Sequence, residues 1–181
     1  IFGSARTNAK NKWYKEAEKL GSLLSKAGYK VITGGGPGIM QAANKGAFKE
    51  HPENSIGINI QLPHEQRINK FVRHGRGFYY FFTRKVMLAA SSQVYIYFPG
   101  GFGTLDEFSE ILTLIQTKKM QKTPIVLVGK DYWTPLVRWM ENTMLKKYQT
   151  ISAKDLKLFK IVDSAEEVMP IVKKSKERTI F

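Results

Sequence analysis

Short runs of β-branched and aromatic residues alternate along this chain with longer stretches in which apolar residues recur every three or four positions. The short runs are Ile1-Phe2 and residues 29–33, 55–60, 93–98, 123–129 and 158–162, each bounded by turn-forming residues, as strands require. Helical spacing carries Trp13, Ala17, Leu20 and Leu24 inward on a helix ended by Ala27-Gly28. It returns over residues 39–48, with Met40, Ala43 and Ala47 on one side, and over 84–90. Leu105, Phe108, Leu112 and Ile115 predict a helix opening at Thr104. A further helix over 133–147 buries Trp133, Leu136, Val137, Met140 and Met144, and the last spans about 165–174. Residues 61–76 read as polar and irregular, and residues 78–82 as a short strand or the start of a helix.

Strands that alternate with helices predict a mostly parallel sheet covered on both faces, with right-handed crossovers. The expected class is α/β, a Rossmann-like doubly wound fold. Its ligands lie at the carboxyl ends of the strands, where strand order switches. With 181 residues and no repeat or low-complexity linker, residues 1–181 are expected to form a single domain. Ile1-Phe2-Gly3 reads as the tail of a strand, so the first strand is expected to be truncated.

Composition narrows the function classes. Hydrophobic residues make up 43% of the chain and exclude a disordered one. Cysteine is absent, which removes thiol catalysis, disulfides and cysteine zinc sites. His51, His64 and His74 lack metal-ligand spacing and read as surface residues, so no metal is expected. No apolar run approaches the ~20 residues of a membrane span, and the default location is the cytoplasm. The net charge is +14, but its lysines are scattered over several helices and no arginine stripe forms. A solvated surface explains that charge better than nucleic-acid contact.

Two strands break into glycine loops, Gly34-Gly35-Gly36-Pro37-Gly38 and Pro99-Gly100-Gly101-Phe102-Gly103-Thr104, each ahead of a helix. Strand, glycine loop and helix N-terminus form an anion site, because unpaired N–H groups and the positive dipole end face the loop. A dinucleotide fingerprint should follow the first strand, where the chain instead reads Gly3-Ser4-Ala5-Arg6. Neither loop is followed by a Walker lysine, which disfavours nucleoside triphosphate hydrolysis. Two glycine-rich strand ends that lie together and hold a mononucleotide remain, with Gly35, Gly36 and Ser4 as ligand-facing candidates.

Several polar residues near these loops admit two readings. Thr104 and Glu107 form T-x-x-E, the pattern of a capping box, yet a carboxylate one turn inside an anion loop also suits a bound sugar. Asp106 and Glu110 read as solvated or structural. Arg84 and Lys85 read as a solvated helix start, although cations are unfavourable there beside the helix dipole. The set Phe78, Tyr79, Tyr80, Phe81 and Phe82 reads as core, with an interface or base stacking as the alternative.

Taken together, GGGPGIMQAANKGA (34–47), LPHEQ (62–66), the Arg84-Lys85 pair and PGGFGTLDE (99–107) resemble the LOG ("Lonely Guy") family of nucleoside 5′-monophosphate phosphoribohydrolases, often labelled lysine decarboxylases. The resemblance spans nearly the whole chain, and no lysine stands in a cofactor-binding context. It implies hydrolysis of the N-glycosidic bond of AMP or a cytokinin riboside monophosphate, with no cofactor and with a role in cytokinin biosynthesis for the latter. It implies that Arg84 and Glu107 are the catalytic pair and that Gly100, Gly101, Phe102, Gly103 and Thr104 hold the 5′-phosphate. Lys85 would neighbour the substrate and Glu65 the ribose. The family's habit implies a homodimer or larger homo-oligomer. Residues 64–82 are longer and more aromatic than in short plant members and resemble a bacterial subgroup, so the base pocket is expected to differ. A non-catalytic nucleotide sensor or carrier on the same fold is the competing reading.

Overall fold

A computed structural model describes residues 1–60 and 68–178. Its strands are β1 (Val31–Thr33), β2 (Ser55–Ile60), β3 (His74–Phe78), β4 (Tyr95–Tyr97), β5 (Ile125–Val128) and β6 (Phe159–Val162). The helices are α1 (Lys12–Lys26), α2 (Ile39–Glu50), α3 (Phe81–Ala90), α4 (Phe102–Gln116), α5 (Lys130–Trp139) and α6 (Ala165–Lys173). Beyond Trp139 the chain winds on as π-helical turns over Met140–Lys147.

Every strand pairing is parallel, in two sets ordered β1-β2-β3 and β4-β5-β6. Ile1 and Phe2 join the sets. Phe2 bridges Tyr97, donating to the Ile96 carbonyl at 2.8 Å and accepting from the Phe98 N–H at 2.9 Å. On the other side the Ile1 nitrogen donates to the Ile32 carbonyl at 2.7 Å. The order across the molecule is therefore β3-β2-β1, then Ile1-Phe2, then β4-β5-β6, the doubly wound arrangement. Its order reverses between Ile1-Phe2 and β4, and the two loops leaving the sheet there diverge and open a crevice.

Strand alternation divides the core by face. Val126 and Val128 join Ala17, Leu20, Ala43 and Val168 under α1, α2 and α6. Ile125 and Leu127 join Phe108, Ile111, Leu88 and Trp133 under α3, α4 and α5. Helices α1 and α2 meet backbone to backbone, because a Cβ at Gly21 or Gly46 would collide with the carbonyl of Ala43 or Glu18.

Four expectations need correction. Residues 74–76 are not irregular: they open β3 (His74–Phe78), an exposed edge strand whose HGRGF sequence has no apolar alternation to announce it. Phe78 ends that strand and Phe81 begins α3. Of the aromatic run only Phe78 packs against the core, since Tyr79, Tyr80, Phe81 and Phe82 are 55–74% exposed. On α2 the buried residues include Ile39, Ala42, Ala43 and Ala47, while Met40 is only half-buried. On α5 and the turns after it Trp133 alone is fully buried, and Leu136, Val137, Met140 and Met144 are half-buried.

Candidate active site

At the carboxyl ends of the strands lies a cavity of 820 Å³. Its walls come from the loop after Phe2, the end of β1, helix α3, and the loop and first turns of α4. The first loop is stitched across the crevice. Ser4 donates its N–H to the Pro99 carbonyl at 3.0 Å, and its own carbonyl accepts from Ile39 at 3.0 Å.

Pro99 to Thr104 form the open side. Helix α4 starts at Phe102, two residues earlier than its apolar spacing predicts, with Gly101 as an N-cap that offers no side chain. The Thr104 N–H is already bonded to the Gly101 carbonyl at 3.0 Å, and Leu105 bonds the same oxygen at 3.1 Å. This excludes the capping box: Glu107 lies inside the helix rather than at its third position, and the Thr104 N–H needs no carboxylate. Around Gly101 and Gly103 a Cβ would meet no atom within 4 Å, and Phe102 is 92% exposed. The first-turn N–H groups of α4 thus face open space. Tyr132 of α5 fixes this loop from outside, its phenol donating to the Gly100 carbonyl at 2.5 Å.

Glu107 is one turn deeper on α4 than Thr104, and both residues are buried, each 6% exposed. Opposite Glu107 is Arg84 of α3, its Nη1 3.6 Å from the Glu107 Oε1. Arg84 is not a solvated helix start. Its Nε donates to the Ile58 carbonyl at 2.9 Å, and its guanidinium packs over Gly34, where a Cβ would strike both it and the Met40 sulfur. Burial pushes the Glu107 carboxyl up to about 7, against the opposing pull of Arg84. The same burial draws the Arg84 guanidinium below its usual range, with Glu107 acting the other way. Arginine still remains a cation at neutral pH. The pair is therefore a buried fixed cation beside a carboxyl poised to change charge near neutrality.

The remaining candidates divide. Ser4, Gly100, Gly101, Phe102, Gly103 and Thr104 all reach the cavity wall. Gly35 and Gly36 do not: both are buried behind it, their carbonyls accepting from the Asn69 side chain at 3.1 and 3.0 Å. Gly34 supplies that loop's place on the wall. Lys85 also stands off the wall, bonded to the exposed Asp106 at 2.8 Å and paired with Glu110 at 3.4 Å. Burial draws the Lys85 ammonium down, but these carboxylates outweigh it and hold the ammonium above its usual range. Glu65 and His64 fall outside the described residues. His51 and His74 are exposed, and no His, Asp or Glu cluster suited to a metal occurs among the described residues. No described helix is long and apolar enough to cross a membrane. Arg6, Trp13, Met40 and Tyr132 also line the cavity, although periodicity placed Trp13 and Met40 only as packing residues and singled out neither Arg6 nor Tyr132. Position could have flagged Arg6 and Tyr132, since each stands four residues after a strand residue, Phe2 or Val128.

A doubly wound parallel sheet with an open glycine loop and a buried arginine–carboxylate pair at its switch point defines a Rossmann-like protein with a cavity at the carboxyl ends of its strands. The chain belongs to the family described as "Possible lysine decarboxylase", the LOG family, which matches residues 40–172. Among curated relatives, a cytokinin riboside 5′-monophosphate phosphoribohydrolase of Arabidopsis thaliana is 26% identical over 98% of this chain and 80% of its own length. Another of that name from Rhodococcoides fascians is 24% identical over 83% of this chain and 77% of its own. A pyrimidine/purine nucleotide 5′-monophosphate nucleosidase of Escherichia coli is 26% identical over 92% of this chain but only 40% of its own length. The fold is shared with a molybdenum cofactor binding protein of Rippkaea orientalis, with a TM-score of 0.66 and 23% identity over 95% and 91% of the two chains.

Proposed function

We propose that this protein hydrolyses the N-glycosidic bond of a nucleoside 5′-monophosphate, releasing the free base and ribose 5-phosphate. The observation that carries the reading is the buried Arg84–Glu107 pair, 3.6 Å apart and one helical turn below an open glycine loop. The names of the curated relatives agree with it.

The 5′-phosphate sits at the mouth of α4, held by first-turn N–H groups, the Thr104 hydroxyl and the positive end of the helix. Anchoring there sets the ribose beside Glu107, so that binding at the phosphate positions the bond to be broken. As the C1′–N bond lengthens, its electron pair leaves with the base and positive charge grows on the sugar. The Glu107 carboxylate stabilises that oxocarbenium-like charge and orients water, whose oxygen bonds to C1′ while its proton passes to the departing base. Arg84 is no acid at neutral pH. Pinned by Ile58, it holds Glu107 in place and keeps part of its population ionised despite burial.

In this reading Lys85 braces α4 through Asp106 and Glu110 rather than touching substrate. Gly35 and Gly36 build the wall from behind. A homo-oligomer would cover the exposed Tyr79, Tyr80, Phe81 and Phe82 at the start of α3, a patch that monomers rarely leave bare. Sedimentation of the purified protein tests that element.

A base-release assay across AMP, GMP, CMP, UMP and isopentenyladenine riboside monophosphate tests the function and ranks the bases. Ribose 5-phosphate appearing in equal amount with free base supports hydrolysis. Tight nucleotide binding with no base released from any member would favour a sensor or carrier.

A further inference from the structure

We infer that Arg6, which belongs to neither glycine motif, is the cation that meets the substrate's 5′-phosphate. This inference rests on the monophosphate reading of the cavity and assigns its charge selectivity to one side chain.

The charged residues on the wall are Arg6, Arg84, Asp106 and Glu107. Three are already engaged. Arg84 is held by the Ile58 carbonyl and Glu107, and Asp106 by the Lys85 ammonium. Arg6 is exposed on the wall, and among the described residues no hydrogen bond or ion pair involves its guanidinium. Its backbone, by contrast, is fixed. The Arg6 N–H donates to the Ser4 hydroxyl at 3.1 Å, and Ser4 is bonded to Pro99 at the root of the phosphate loop. The side chain is therefore tethered beside the α4 mouth with its donors free.

Electrostatics gives those donors a task. A phosphate close to two on-wall carboxylates gains only the helix dipole, about half a charge, from the loop. Because Arg84 already offsets Glu107, a dianion there is left short of positive charge unless Arg6 turns to it. A planar guanidinium with five donors suits phosphate oxygens, and its exposure lets it release the product again. A nucleoside without the phosphate would gain nothing from it.

The test uses calorimetric binding of ribose 5-phosphate, which needs no turnover, by wild type, Arg6→Gln, Arg6→Lys and Arg138→Gln. Arg138 is exposed on α5 away from the cavity wall and controls for the loss of one net charge. The expected result is about 10-fold or greater weakening in Arg6→Gln, partial recovery in Arg6→Lys and no change in Arg138→Gln. Adenosine affinity should be equal in all four. Wild type that binds ribose 5-phosphate while Arg6→Gln binds it equally well overturns this inference alone. Wild type that fails to bind ribose 5-phosphate overturns the monophosphate reading and this inference together.

Discussion

The two glycine loops have nearly the same composition and the same place in the fold, a strand's carboxyl end before a helix, yet they are built for opposite ends. The loop after β1 is filled. Gly34 lies under the Arg84 guanidinium, Gly35 and Gly36 offer their carbonyls to Asn69, and Gly38 is pressed against the backbone of Ser4 and Ala5 with φ +65°. The loop after β4 is empty around Gly101 and Gly103. In one, glycine lets protein groups approach; in the other, it leaves room for something that is not protein. The Arg84–Glu107 pair depends on both, since the filled loop seats Arg84 and the open loop leads into the helix that carries Glu107.

The largest effect expected from breaking this division is at Arg84. Arg84→Gln removes the fixed cation facing a buried carboxyl and should lower base release from AMP by roughly 10²-fold, read as kcat with the fold checked by circular dichroism. A smaller effect separates the loops directly. Gly34→Ala puts a methyl into the Arg84 guanidinium and should cost about 10-fold in kcat, because small displacements of positioned groups are expensive. Gly103→Ala meets no protein atom and lies within a helix, so thermal stability should hold or rise by up to about 1 kcal/mol. Its methyl intrudes on the proposed phosphate site instead, and should raise KM. If both variants changed the same kinetic constant, the contrast between filled and open loops would fail.

The smallest effect is in pH dependence. Burial holds the Glu107 carboxyl at about 7, above its unfolded value near 4.5, so the folded protein binds the extra proton between those values. Two signs follow. Activity that needs the carboxylate should fall as pH drops through about 7, and the contribution of Glu107 to stability should decline as pH rises from 4.5 to 7. Glu107→Gln, freed of that buried charge, should melt about 2–4 °C above wild type at pH 8, a shift corresponding to roughly 1 kcal/mol. Differential scanning calorimetry at pH 5 and pH 8 reads the difference, which should shrink at the lower value.

How much of this could be read from the sequence follows the same line between local and distant causes. The α/β alternation, the order of elements and the open loop were legible because periodicity and glycine spacing are local. Strand β3 was not, since an exposed parallel edge of His, Gly and Arg carries no apolar signature. The T-x-x-E pattern pointed to a cap at Thr104 that does not form, because Gly101 starts the helix earlier. The burial of Arg84 depends on Gly34, 50 residues away in sequence, and on the Ile58 carbonyl, neither of which any motif connects to it. Tyr132 reaches Gly100 across a similar gap. Aromatic residues 79–82 read as core because hydrophobicity records a preference for burial without saying whether this chain or another provides it.

If the open loop binds and Glu107 reacts, parallel measurements on one variant separate the two roles. The reacting role of Glu107 predicts, for Glu107→Gln at pH 8, ribose 5-phosphate binding within about 3-fold of wild type and adenine release from AMP reduced by roughly 10²-fold or more. Adenine release at the wild-type rate from that variant would contradict it.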